Sequence, residues 1–552
     1  MRKWAPILLS LVSATQASGE PPPPAVPALE AQVQLVSGKL LRGRVVGTET
    51  IQGNSLLQVD TDWGRILVPA KEVKHSIEPK PTPDATFFAG DVRVVRIQGT
   101  VERQTATGGD WFPVQWTDTY GKEIVNSPNA IVKPGDRIRT GGDGEIDLQL
   151  HKDVWVRLAP DSEILLPAAR GESGSLTLLK GATIHDVTGR PRGETFRVAT
   201  PTIVLGVKGT RFAVRVGEIE RVEVTEGAVQ VGALGAVAAG YGGSWVSGKL
   251  EREPLTMEQR EGLTVQIIRL PAQNMAWVPA GTYTLGDGTD AMLHPEAPGR
   301  HQPNPSDEPF NPDLLRWREA EPKGLIANIR STSTTRLEAF QIGIHEVTFG
   351  QLSGFCLARA RTIPRLILPM PPADASRAAF GIPWEDARAF AAWMGGKLPT
   401  EAQWEAAARG TERRLYPWKG PATERHLALP TCRVLWSQGG APHAEPAPVE
   451  DRRPADAETL DVTPLGVRNL VTGVAEWTRD WVLRAYRDRY VGRELWAPEL
   501  PRGDRPGHSD EGLKVIRGWA HSARIASGLS VGTIALTGPV PALPGFRCVI
   551  EP

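Results

Sequence analysis

Residues 397–410 read KLPTEAQWEAAARG, and no other stretch restricts the fold so tightly. Gly395 and Gly396 end the helical pattern before it, and the hydroxyl of Thr400 offers an N-cap for the helix that follows. Glu401 falls in the first turn, where the helix dipole favours an acid. Ala402, Ala406, Ala407 and Ala408 give this helix a small-residue face that lets another element approach closely. Gly410 supplies the stop.

The chain has 552 residues, which suggests two to four domains. Its 63 Lys and Arg balance 63 Asp and Glu, so there is no electrostatic footprint for nucleic acid and no polybasic membrane patch. Three cysteines, Cys356, Cys432 and Cys548, exclude a disulfide scaffold. With 57 Gly and 48 Pro, the composition suits turn-rich β structure and loop-heavy domains better than helical bundles.

Residues 1–19 have the layout of a secretory signal: Arg2 and Lys3, an apolar core from Ala5 to Val12, and a small-residue exit at Ala14–Ala17. The apolar core is too short to span a bilayer, and no lipid-attachment cysteine follows. The expectation is a cleaved signal and a periplasmic or secreted protein, without an integral membrane segment. Residues 20–30, rich in proline, form a stiff linker.

Residues 31–79 hold short aliphatic runs at Gln32–Val36, Leu41–Val46, Leu56–Asp60, Gly64–Val68 and Val73–Ile77, with turn signals between them. Four or five strands in so few residues predict a small SH3-like β barrel, a unit that usually serves as an interaction module. Residues 84–254 show period-two alternation throughout, punctuated by Gly and Pro-Gly, as in Gly144–Leu150, Val154–Leu158, Gly209–Val216 and Val222–Val231. This predicts an all-β, β-helix-like domain in which each rung covers its neighbour. His151 and His185, far apart in strand-like stretches, are read as surface histidines.

The order PGDRIRTGGDGEIDLQL, VRLAPDSE, LLKGA, FRVATPT, GVKGTRFAV and VEVTEGAVQV resembles the FecR-type periplasmic domain. The resemblance implies envelope signalling through a cytoplasmic segment that binds a sigma factor. This chain shows neither that segment nor a membrane helix, so a structural or partner-binding role is expected from the domain.

In residues 272–552, five strings recur in one order: MAWVPAGTYTLG from Met275, FQIGIHEVT from Phe340, IPWEDA from Ile382, the 397–410 helix, and GVRNLVTGVAEWTRDW from Gly466. With Tyr416-Pro-Trp418 and the closing Gly545-Phe-Arg-Cys548, they resemble the formylglycine-generating enzyme, or sulfatase-modifying-factor, family. The resemblance implies a loop-rich α+β fold of C-type-lectin-like form. It also implies an activity, since active members bind copper through two cysteines just after an RGGS-type strand, and two soft thiolates suit Cu(I). Here VIRGWAHSARIASG from Val515 takes that place, and no cysteine occurs between Cys432 and Cys548. His521 alone is a poor Cu(I) site, and Cys548 falls on a strand position that reads as a buried thiol. In characterised relatives the Asn and Glu of GNVWEW hold calcium; Gly473 replaces that Asn while Glu476 remains, and a single carboxylate does not satisfy a calcium ion. Glu401 and Glu405, at helical spacing, read as an exposed or salt-bridged face.

The expected function is therefore an exported, non-catalytic binding or scaffold protein of the cell envelope, with no catalytic residue, no metal ligand and no cofactor. Its partners would be envelope proteins, peptides or glycans, and not nucleic acid. Trp481, Arg517, Trp519, His521 and Arg524 are the candidates to line its groove. Two other readings stay open: an oxidase making formylglycine from sulfatase cysteines, and a FecR-like signalling component. The Pro-, Asp- and Asn-rich insert at 287–334 reads either as a functional loop or as disorder.

Overall fold

The computed structural model describes residues 31–77, 92–116, 131–167, 176–188, 196–285, 333–362, 375–420, 459–481, 514–518 and 545–551, apart from single positions, and the short pairs 435–436, 442–443, 455–456 and 534–535. The signal-like segment, the proline-rich linker and nearly all of the 287–334 insert lie outside these residues. Among the described residues the molecule is mostly β, with few and short helices.

The aliphatic runs expected before residue 79 fall on strands, although the run Leu41–Val46 is divided at Gly43 between Leu40–Arg42 and Arg44–Ile51. Gln32–Leu35 pairs antiparallel with Leu40–Arg42 on one side and Val73–Ile77 on the other. Arg44–Ile51 and Asn54–Thr61 form a hairpin, and Gly64–Pro69 extends it. The hairpin turns on Gln52 (φ 50°) and Gly53 (φ 77°), and two consecutive positive φ values match the right-handed twist of the strands they join.

These strands do not stop at a module boundary. Gly64–Pro69 runs parallel to Met275–Val278, with Ile66 beside Met275 and Leu67 beside Ala276. The result is one six-stranded sheet in the order 44–51, 54–61, 64–69, 275–278, 340–343, 549–550. Val33, Leu35, Val59, Ile66 and Val68 pack with Met275 and Trp277 in a single core, so the hydrophobic face of the N-terminal strands is covered by the C-terminal region.

Strands from Arg93–Gln98 to Lys249–Pro254 join in a 16-stranded array. Alternate residues point inward as the period-two pattern predicts; Ile146, Leu148, Val156, Leu158, Val198, Leu205, Val214, Val222 and Val231 are all buried in one aliphatic core. The architecture differs from the expected stack of rungs. Neighbours are antiparallel, except that Leu176–Thr177 lies parallel to Val198–Ala199. Tight glycine turns reverse the chain directly, whereas parallel rungs need longer crossovers. One glycine of the alternating pattern, Gly181, marks no reversal. It lies instead inside the long strand Leu176–Val187, at φ +82°, where a Cβ would fall 2.2 Å from Ser162 Oγ. There the strand passes from pairing with Glu163–Leu165 to pairing with Thr210–Val216.

His151 and His185 are buried, not surface residues. The ring of His185 stacks on Phe212 with centroids 4.6 Å apart, and its Nε2 lies 2.8 Å from Thr183 Oγ1. Burial holds its pKa down at about 3, so it is a neutral core residue. Strand alternation gave its side but not which side was covered.

Among the described residues, three helices carry the C-terminal region. Phe349–Arg359 and Glu401–Arg409 each begin with a capping box, Thr348 with Gln351 and Thr400 with Gln403. Phe349–Arg359 packs against both Trp384–Trp393 and strand Arg93–Gln98 of the β array. Trp393 Nε1 donates to the Val95 carbonyl at 2.9 Å, Arg93 Nη1 donates to the Met394 carbonyl at 2.6 Å, and Gln149 Oε1 accepts from the Leu270 amide at 2.8 Å. Val95 and Leu270 share a core with Phe355, Phe390 and Trp393. None of the helices in the described residues is long and apolar enough to cross a membrane.

Candidate functional site

Strand Glu476–Trp481 begins on a carboxylate that is fully buried. Burying an ionised carboxylate costs several kcal/mol unless it is paired and hydrogen-bonded. Arg547 supplies the pairing. Its Nε reaches Glu476 Oε2 at 2.6 Å and its Nη2 reaches Oε1 at 2.5 Å, a two-pronged ion pair. The other donors of Arg547 go to the carbonyls of Gly343, Ile344 and Arg468, so this guanidinium ties three segments to the strand. Trp404, from the alanine-faced helix, donates its indole N–H to Glu476 Oε2 at 2.9 Å.

Glu346 stands beside this pair, also buried, with Arg547 Nη2 4.0 Å away. Asn469 donates to its Oε2 at 3.2 Å, and its Oε1 has no hydrogen-bond partner. Burial, and repulsion from Glu476, raise its pKa to about 7 against the pull of Arg547. Gly473 leaves room for this arrangement: a Cβ there would sit 1.8 Å from Glu346 Oε1. The carboxyl of Glu346 thus leans against the backbone where the family's motif carries an asparagine side chain.

This geometry tests the calcium site that the motif implies. Both Glu476 oxygens face a guanidinium and an indole N–H, and Gly473 brings no side-chain oxygen. A calcium ion needs six to eight oxygen ligands, and Arg547 places a positive charge where it would bind. The residues present do not fit calcium. The copper donor set fails on composition, since residues 433–547 contain no cysteine. Cys548 is partly buried, and burial pushes its thiol up to about 12, so it stays protonated rather than becoming a thiolate ligand.

A second charged cluster lies beside the first, since Arg517 stands opposite Glu476 on the adjoining strand and Trp404 touches both residues. Arg517 is fully buried. It donates to Glu405 Oε2 at 2.7 Å and to Glu401 Oε1 at 3.1 Å, with its guanidinium carbon 5.2 Å from the centre of the Trp404 ring. Arg409 completes a buried pair with Glu405 at 2.9 Å. Burial raises Glu401 to about 7 even though Arg517 opposes the shift. Glu401 and Glu405 are therefore a salt-bridged face, and Arg517 is held in it. Trp481 ends strand Glu476–Trp481 opposite Lys514. Trp519, His521 and Arg524 lie outside the described residues, so of the five groove candidates only Arg517 has a described side chain.

Sequence reading missed the roles of Glu346 and Arg547, although both sit in strings it quoted. The available signal was a carboxylate between apolar neighbours, Ile344 and Val347, and an arginine between Phe546 and Val549 in a strand-forming run.

Two capped helices and the closing segment Gly545-Phe-Arg, just before strand Val549–Ile550, surround the buried Glu476–Arg547 pair. The family model for sulfatase-modifying factor enzyme 1-like domains matches residues 260–552, more than half of the chain, and the chain belongs to that family. The FecR protein model matches residues 136–230. Formylglycine-generating enzyme from Streptomyces coelicolor is 32% identical over 178 residues, covering 30% of this chain and 50% of that protein. The same enzyme from Thermomonospora curvata is 36% identical over 179 residues, covering 31% of this chain and 54% of that protein. Inactive C-alpha-formylglycine-generating enzyme 2 from Bos taurus is 36% identical over 116 residues, covering 20% and 36%. The chain thus spans about half the length, or less, of these curated relatives. Among solved structures, PvdO from Pseudomonas aeruginosa aligns over 50% of this chain and 93% of its own, at 18% identity and a TM-score of 0.28.

Proposed function

We propose that this chain is an exported, non-catalytic binding or scaffold protein of the cell envelope, built on a formylglycine-generating-enzyme fold emptied of its redox chemistry. The observation that carries this reading is the lack of any thiol pair between residues 433 and 547, where copper-dependent chemistry would need one. The buried Glu476–Arg547 pair supports it, because it keeps the family's core while denying its carboxylate to a metal. The match to a relative that is named an inactive formylglycine-generating enzyme is in keeping with this reading. On this reading residues 1–19 direct export, residues 84–254 form a FecR-type domain, and residues 272–552 form the C-type-lectin-like domain, to whose sheet residues 44–69 add three strands in place of a free-standing SH3-like barrel. Of the five lining candidates, Trp481, Trp519, His521 and Arg524 remain, while Arg517 is buried in its ion pairs with Glu401 and Glu405 and is not open to a ligand. The groove's occupants are envelope proteins, peptides or glycans.

The test is direct. Purified protein is titrated with Cu(I) and then incubated aerobically with a cysteine-containing sulfatase peptide. The expected result is no stoichiometric tight copper and no change in the peptide's mass; turnover with bound copper would establish the oxidase instead. The FecR match favours one further reading, envelope signalling through the middle domain. That reading predicts an altered regulon on deletion, and an unchanged transcriptome removes it.

A further inference from the structure

The three-stranded sheet built on Gln32–Leu35 turns one face to the core, where Val33, Leu35 and Leu41 are buried. Its other face meets water. Residues directly opposite in a ladder share a face, so Leu40, Gln34 and His75 form one outward row, and Arg42 and Gln32 stand in the next. The turn from Val36 to Leu40 closes one end of this sheet. It is tied to the short helix Ala70–Glu72, because the Val36 amide donates to the Glu72 carbonyl at 2.8 Å.

Val36 is 63% exposed and Leu40 56%. A single exposed aliphatic side chain is ordinary, but these two flank one turn and stand among cations. Lys39 sits in the turn, Arg42 follows Leu40 on the outward face, and Lys71 and Lys74 are exposed on the segment that holds the Val36 amide. Lys74 is the extra residue of a bulge, where the register slips between Gln34 and Leu35, and such a residue is left out of the ladder. None of the four has an ion-pair partner among the described residues. Across residues 31–43 and 70–76 the sequence sets these four cations against one carboxylate, the half-buried Glu72. The even balance of charge over the whole chain, from which no polybasic patch was expected, averages this local excess away.

A soluble polyanion would engage the cations and leave Val36 and Leu40 in water. A bilayer uses both. Aliphatic side chains at a turn enter the boundary between headgroups and acyl chains, while lysine and arginine reach the phosphates.

We propose that the Val36–Leu40 turn, with Lys71 and Lys74 beside it, is a docking surface for an anionic phospholipid bilayer. This goes beyond the binding-protein reading, since it concerns the surface on which the chain sits and not what its C-terminal groove holds.

The test sediments the full chain with vesicles of phosphatidylcholine alone and of phosphatidylcholine mixed equally with phosphatidylglycerol. Binding to the anionic vesicles is expected to be at least about tenfold tighter, and to weaken as salt rises from about 0.05 M to about 0.5 M. Lys71→Glu with Lys74→Glu should weaken it at least about tenfold, and so should Val36→Ser with Leu40→Ser, which changes no charge. All four side chains lie on the surface, so both pairs should keep the parent's unfolding midpoint. Lys71→Arg with Lys74→Arg should bind as the parent does. If the serine pair binds anionic vesicles like the parent and both are retained on heparin, the surface reads charge alone and its partner is a soluble polyanion. Binding that neither pair weakens places the attachment elsewhere in the chain. Either result overturns the proposal, as does equal binding to the two vesicle types or no binding to the anionic ones.

Discussion

Glu346 is a carboxyl whose protonated form the fold prefers. Its pKa rises from the ordinary 4.5 to about 7, chiefly by burial. A folded-state value above the unfolded one means that folding takes up a proton between these limits, so stability falls as pH rises from about 4.5 to about 7 and is level above. Glu551 runs the opposite way: Lys397 and Arg479 hold it near 2, so its contribution is present above 4.5 and lost as pH falls toward 2. Replacing Glu346 by Gln removes the first dependence. The stability of the variant relative to the parent, from urea unfolding, should increase by on the order of 3 kcal/mol between pH 4.5 and pH 8; a difference that stays constant with pH would refute the buried acid. Little of this was readable in IHEVT, where strand alternation says only that His345 and Glu346 face opposite ways. The burial of Glu346 depends on Asn469 and Arg547, more than a hundred residues along the chain, and no local rule reaches that far.

At the scale of single elements the sequence was far more explicit. Thr400 caps the central helix through the Gln403 amide at 3.0 Å, and Gln403 Oε1 accepts from the Thr400 amide at 2.9 Å. Both partners lie within four residues, and cap, alanine face and terminal Gly410 were all visible before any coordinates. Thr400→Ala should cost about 1 kcal/mol, up to about 2 in a buried setting, measured as a fall in unfolding midpoint at unchanged slope. Thr400→Ser should restore most of it. The strands before residue 79 were nearly as legible because most are short runs rich in aliphatic residues between turn residues, though nothing local showed that Gly43 divides Leu41–Val46 between two strands. The place of Gly181 was not legible, because a glycine that bends one strand and a glycine that ends it look alike until the partner at Ser162 is known.

For the molecule as a whole, the informative fact is where the sheets join. Residues 44–69 and 275–278 share a ladder, and their cores are common. The sequence gives no hint of it, because the register Ile66 with Met275 links positions separated by the whole middle β array. Removing residues 31–77 should leave strand Met275–Val278 with an unpaired edge and expose Trp277, and such an edge invites association. The truncated chain is expected to aggregate or to elute as oligomers in size-exclusion chromatography, whereas a monodisperse, cooperatively melting product would show that the C-terminal region is self-sufficient.

One consequence follows for how the chain is made. The first hairpin and the strand Val549–Ile550 occupy opposite ends of the same six-stranded sheet. A polypeptide emerging from its N-terminus must therefore hold its opening strands unfinished while hundreds of residues are synthesised behind them, and the last rung arrives only when the tail does. Such distant pairing slows assembly and makes it vulnerable to interruption. A chain released early would carry a complete β array and an open ladder beside it, which is the kind of half-built product that quality-control proteases remove.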